Sequence, residues 1–148
     1  MGYVTIIVKT DLYTRLYEEV INEITRDDDS IVANAIDNAI AEAKMYLSQF
    51  ELIALFGSVE NDTAATFTDK ALSNLLKDIA AWQLVSLCNV AVNYEAIRSR
   101  YKDAIATLTK IQSGQVNPMW PYRNPENDTA PDPLNITIQS NPLRNNYY

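Results

Sequence analysis

"IVANAIDNAIAEAKMYL", residues 31–47, is the stretch whose reading decides the fold. Val32, Ala35, Ile36, Ala39, Ile40, Ala43, Tyr46 and Leu47 recur at the 3.6-residue spacing of one helical face. So many alanines on that face imply close approach of a second helix, within the roughly 8–10 Å range of helix packing. Just before it stands "RDDDS", residues 26–30, whose acidic and hydroxyl side chains can accept from the free N–H groups of a first turn. Three aspartates also suggest calcium. That reading fails on spacing, because no alternating oxygen ligands, sharp-turn glycine or distal glutamate follow Asp27.

Upstream, Thr10 and Asp11 offer helix-starting chemistry, and Leu12, Leu16, Tyr17, Val20, Ile21 and Ile24 fall at helical spacing. Residues 3–8, "YVTIIV", are rich in β-branched side chains and read as a short strand or extended arm. Downstream, "FELIALFG" leads to Gly57, a helix- or turn-ending position, and residues 58–67 form a polar internal loop. Thr68 is the expected N-cap of a third helix reaching about Asn93. After Leu75 that helix is apolar on nearly every side, which marks it as central, with Trp82 as a core anchor and Cys88 as a small buried thiol. A fourth helix over residues 94–113 carries Ile97, Tyr101, Ile105, Leu108 and Ile111 on one face and ends at Gly114. The expectation is mainly α: a compact bundle of about four helices over residues 10–114, with an N-terminal extended arm over residues 1–9.

Residues 115–148 differ in kind. All six prolines lie there, Pro118, Pro121, Pro125, Pro131, Pro133 and Pro142, and too few apolar side chains accompany them to offset the entropy of ordering the backbone. Within this extended tail Leu134, Ile136 and Ile138 alternate with polar residues, the period-two pattern of a half-buried strand. A single strand needs a partner, either the arm of residues 3–8 or a strand from a neighbouring chain.

Composition narrows the function classes. One domain fits 148 residues, and one cysteine excludes an internal disulfide. Residues 1–62 carry twelve acids against four bases, and residues 63–148 carry seven against eight. Such a balance does not hold nucleic acid, since phosphate affinity needs clustered Lys and Arg; Arg98, Arg100 and Lys102 are flanked by Glu95 and Asp103. With no histidine, no glycine-rich phosphate loop and no Cys/His constellation, neither catalytic residues nor cofactor or metal ligands are expected. The acidic pairs, Glu18 with Glu19 and residues 27–29, sit in polar surroundings that do not favour acid–base work. No apolar run is long enough to cross a bilayer, and residues 1–8 lack the basic start and cleavage pattern of a signal peptide. A soluble protein of the cytoplasm in which it is made is therefore expected.

Three of these stretches, "AIAEAKMYL" (residues 39–47), "LLKDIAAWQL" (75–84) and "IRSRYKDAIATLTKIQSGQVNP" (97–118), resemble the head-tail connector (adaptor, head-completion) proteins of tailed bacteriophages and prophages, in particular the Mu-like prophage adaptor group. "SNPLRNNYY", residues 140–148, is similar to the Asn- and Arg-bearing tails of that family. The resemblance implies a non-enzymatic virion protein of the head-tail neck, made in the host cytoplasm. It implies a homo-oligomeric ring beneath the portal protein, a stopper or tail-completion protein docked on it, and DNA sliding through without specific binding. An acidic half suits such a channel. Leu134, Ile136, Ile138, Asn141, Pro142, Arg144, Asn145, Tyr147 and Tyr148 are the residues expected to reach a neighbouring copy or the portal. The alternative is a small non-catalytic cytoplasmic regulator of a mobile element that binds a protein through its tail.

Overall fold

Side-chain caps start the three longest helices in the computed structural model, which describes residues 2–87 and 93–124. Helix α2, Asp29–Tyr46, begins where the Asp28 carboxylate accepts from the Ser30 N–H at 2.9 Å and from its hydroxyl at 2.6 Å. Arg26 and Asp27 take left-handed backbone conformations immediately before it, separating α2 from α1, Glu18–Thr25. The buried stripe of α2 is Val32, Ala35, Ile36, Ala39, Ile40 and Ala43, as its periodicity requires. Helix α5, Tyr94–Gln112, starts with Asn93 accepting from the Ala96 N–H at 3.2 Å. It ends through Ser113 and Gly114, whose φ of +83° is the left-handed exit expected of a glycine there.

Helix α4, Lys70–Val85, lies at the centre and packs on α1, α2, α5 and the N-terminal 3-10 helix. Leu76, Ile79, Ala80 and Leu84 are fully enclosed. Both expected ends move. Asp69, not Thr68, is the N-cap, because a carboxylate one position later reaches the Ala71 N–H at 2.7 Å. The helix stops at Val85 and not near Asn93: the Ser86 N–H turns back to Trp82 O, its hydroxyl bonds Gln83 O at 2.9 Å, and Leu87 is exposed. Cys88 lies outside the described residues.

The expected first helix is two elements. A 3-10 helix, Lys9–Thr14, precedes α1, and its N-cap is Val8, whose N–H donates to the Asp11 carboxylate at 2.8 Å. Thr14 donates back to Asp11 O, and the break across Arg15 and Tyr17 lets Leu12, Leu16, Ile21 and Ile24 all bury while Tyr17 turns outward. A part-buried Arg15–Asp78 ion pair at 2.5 Å ties this corner to α4.

Residues 3–8 form no strand; they have no sheet partner among the described residues, where only two isolated bridges occur, Phe50 with Tyr122 and Ser58 with Thr63. The arm is held instead by Ile7, which is buried in the core, and by the Tyr3 N–H on the Asp62 carboxylate at 2.8 Å. A short helix α3, Leu52–Phe56, ends at Gly57 as expected. The expected strand at residues 134–139 falls outside the described residues.

The Asp28 cap carries a pH signature. Its hydrogen bonds from Ser30 lower its pKa from the ordinary 3.8, so the folded chain favours the carboxylate and the unfolded chain binds the proton more readily. Its contribution is complete above 3.8 and is lost as pH falls through the lower folded value. Asp28→Ala should therefore lower the urea midpoint at pH 7, and the gap from the parent protein should close on acidification through that window.

Candidate interaction surface

Backbone pairing and aromatic packing turn residues 116–123 back onto the body. Val116 N–H bonds Lys110 O at 3.2 Å, and the Gln49 amide reaches Ile111 O at 3.1 Å. The chain then crosses the α2–α3 junction, where Glu51 N–H donates to Pro121 O at 2.9 Å and Arg123 N–H to Gln49 O at 3.0 Å. Trp120 is 2% exposed, edge-on to Phe50 with ring centroids 5.5 Å apart, while Tyr122 stacks on Phe50 at 5.3 Å. The Trp120 indole N–H donates to the same Asp69 carboxylate that caps α4. One carboxylate thus joins the central helix to the strap.

A second aromatic group lies near the other end of α4. The rings of Trp82 and Tyr101 stack at 5.6 Å and 22°, and Tyr94 leans on Trp82 at 5.1 Å. Trp82 is half-buried and Tyr94 exposed, so this tryptophan borders the core instead of anchoring its centre. The Tyr101 hydroxyl donates to Glu42 Oε1 at 2.5 Å, and the Gln83 amide approaches Oε2 at 3.4 Å. Burial, then the Glu42 hydrogen bond and charge, push the Tyr101 hydroxyl up to about 12, so it remains a donor at neutral pH.

The nine interface residues expected from the sequence, from Leu134 to Tyr148, lie outside the described residues. What the sequence reading missed is the strap: Phe50, Asp69, Trp120 and Tyr122. Its one signal was "MWPY", residues 119–122, two large rings in an otherwise polar, proline-rich stretch. Glu18, Glu19 and residues 27–29 are exposed, and among the described residues no group of three His, Cys, Asp or Glu side chains could hold a metal ion. No helix of the described residues is long and apolar enough to cross a membrane.

Against known families, a model described as "Bacteriophage Mu, Gp36" matches residues 7–134, which takes in every described helix and the strap. The chain belongs to the bacteriophage Mu Gp36 family. No curated protein and no solved structure matches it. Membership in the Gp36 family makes this a phage or prophage protein.

Proposed function

We propose that this Gp36-family chain is a non-catalytic structural protein of the virion, a head-tail connector or adaptor. It assembles as a ring beneath the portal, extends the DNA channel and offers a docking surface to a stopper or tail-completion protein. Family membership supports a structural or assembly role for a phage protein. The observation that carries the finer reading is the strap. A rigid helical body grips residues 116–123 by backbone pairing and a buried tryptophan, leaving a following segment with the Leu134, Ile136 and Ile138 alternation for a partner. The acidic bias of residues 1–62 fits a surface past which DNA slides without sticking. Assembly takes place in the host cytoplasm and the product resides in the neck.

The test is quantitative mass spectrometry of purified virions or induced prophage particles, scaled to the portal protein. About one copy per portal subunit is expected of a ring built on the portal by repeated heterologous contacts. Absence from particles would replace this reading with the cytoplasmic regulator. Deleting residues 133–148 should abolish incorporation while leaving helical circular dichroism nearly intact, because the described helices and the faces they bury on one another run from Lys9 to Gln112.

A further inference from the structure

We infer that the N-terminal arm, with the cleft between it and α4, receives an extended acidic segment of a partner protein, whose backbone pairs with the arm at residues 3–6 and whose carboxylates meet Lys70 and Lys77. This surface lies outside the connector reading, which makes no use of the arm.

The arm has the composition of a strand and an unpaired backbone. Tyr3 N–H is taken by the Asp62 carboxylate and Val8 N–H by that of Asp11, each at 2.8 Å. Between them the N–H groups of Val4, Thr5, Ile6 and Ile7 have no hydrogen-bond partner among the described residues, and the Thr5 hydroxyl is enclosed without one. Val4 is 64% exposed and Val8 42%, so β-branched side chains border this open edge. An edge of that kind is a template for an added strand.

The cleft supplies the charge. It measures about 240 Å³ and begins where the chain bends at Ile6 and Ile7, which line it. Its other wall is one face of α4, carrying Lys70, Ser73, Asn74 and Lys77 at spacings of three, four and seven. Neither lysine forms an ion pair among the described residues, and the acids beside them in sequence are turned elsewhere. Asp69 takes the Ala71 and Trp120 N–H groups, and Asp78 is paired with Arg15. Asp11, the carboxylate at the cleft, is held by Val8 N–H, so two positive charges face one negative.

This charge pattern selects a peptide. Asp62 and Asp11 hold the two ends of the arm, and both repel a continuous phosphate backbone. A peptide instead lays uncharged backbone along the arm and places acids only at the lysines. Lys70 and Lys77 are two turns apart, about 10 Å along α4, and carboxylates on one side of a strand stand about 7 Å apart, a difference that flexible lysine stems cover. The chain's own alternating stretch, residues 134–139, contains no acid and lacks this half of the match.

The test titrates the full chain with two synthetic peptides, Ser-Val-Glu-Val-Glu-Val-Ser and its counterpart with Gln for Glu, and follows the backbone amide resonances. Saturable shifts at residues 4–7, Lys70 and Lys77 are expected with the acidic peptide, together with slower hydrogen exchange along the arm. The Gln peptide, or a protein carrying Lys70→Gln and Lys77→Gln, should bind about fivefold more weakly, and added salt should narrow the difference. Resonances unmoved by millimolar acidic peptide would overturn the proposal, as would equal binding of the two peptides. It is also overturned if the arm amides are already protected in the free chain: protection lost on dilution marks a second copy on the arm, and protection lost on deleting residues 133–148 marks the chain's own tail. Absence from particles would end the connector reading and leave these titrations unchanged.

Discussion

Trp120→Ala is expected to lower the free energy of unfolding by about 3–5 kcal/mol, the range for removing a large buried aromatic side chain. The residue lies 108 positions from Leu12 and 70 from Phe50, yet both ends of that span belong to one core. Its ring is enclosed against Phe50, and its N–H is taken by Asp69, so alanine leaves a cavity and removes one donor from a half-buried carboxylate. The cap of α4 survives, because the other Asp69 oxygen keeps the Ala71 N–H. Trp120→Phe divides the two effects: it keeps most of the apolar area, so its smaller loss, about 1–3 kcal/mol, comes chiefly from the hydrogen bond. Urea unfolding measures both, with a shift in midpoint at nearly constant slope if the native body is retained. A loss below about 1 kcal/mol for alanine would mean that residues 116–123 contribute little to the fold.

Gly57→Ala should be of similar size, about 2–5 kcal/mol, for a different reason. At φ +77° and ψ −176° the backbone is in a region that side chains rarely enter. A Cβ there would stand 2.6 Å from Thr63 O, 3.0 Å from Ala65 N and 3.2 Å from Ala64 C. All three are backbone atoms of the turn whose Ser58–Thr63 bridge and two bonds to Ala54 O close the loop, so no side-chain rotation relieves the overlap. Gly114→Ala is the control. Its φ is also positive, but nothing lies within 4 Å, so only the conformational term of about 1–2 kcal/mol applies. Equal thermal midpoints for the two variants would show that the turn over residues 58–63 can open at little cost.

If both variants behave as expected, the strap and the loop are parts of one cooperative body. On the proposed connector reading this matters, because a segment that meets a partner transmits position only when the chain before it is held. The strap is fastened to the body at Trp120.

Local chemistry was sufficient for α2 and α5. Their apolar stripes repeat at helical spacing, their starts carry Asp28 and Asn93, and α5 exits through a glycine, so neighbouring residues alone determined them. The family resemblance rested on stretches of these two helices and of α4, and the match over residues 7–134 bears out a phage family. The acidic bias and the lack of histidine were likewise properties of the chain before any folding.

Tertiary structure decided what depends on distant partners. Leu12 to Ile24 reads as one helix by period, but burying Leu12 and Leu16 together with Ile21 and Ile24 breaks it at Arg15 to Tyr17, a choice made by the surfaces it meets. Residues 3–8 have strand-like composition, yet among the described residues none pairs with them, because a ladder needs a second chain segment at hydrogen-bonding distance and composition cannot supply one. The burial of Trp120 and the juxtaposition of Glu42 with Tyr101 pair side chains 70 and 59 positions from their partners. Periodicity records which face of an element is apolar; it carries no information about which distant face will cover it, and only packing the helices around α4 settles that.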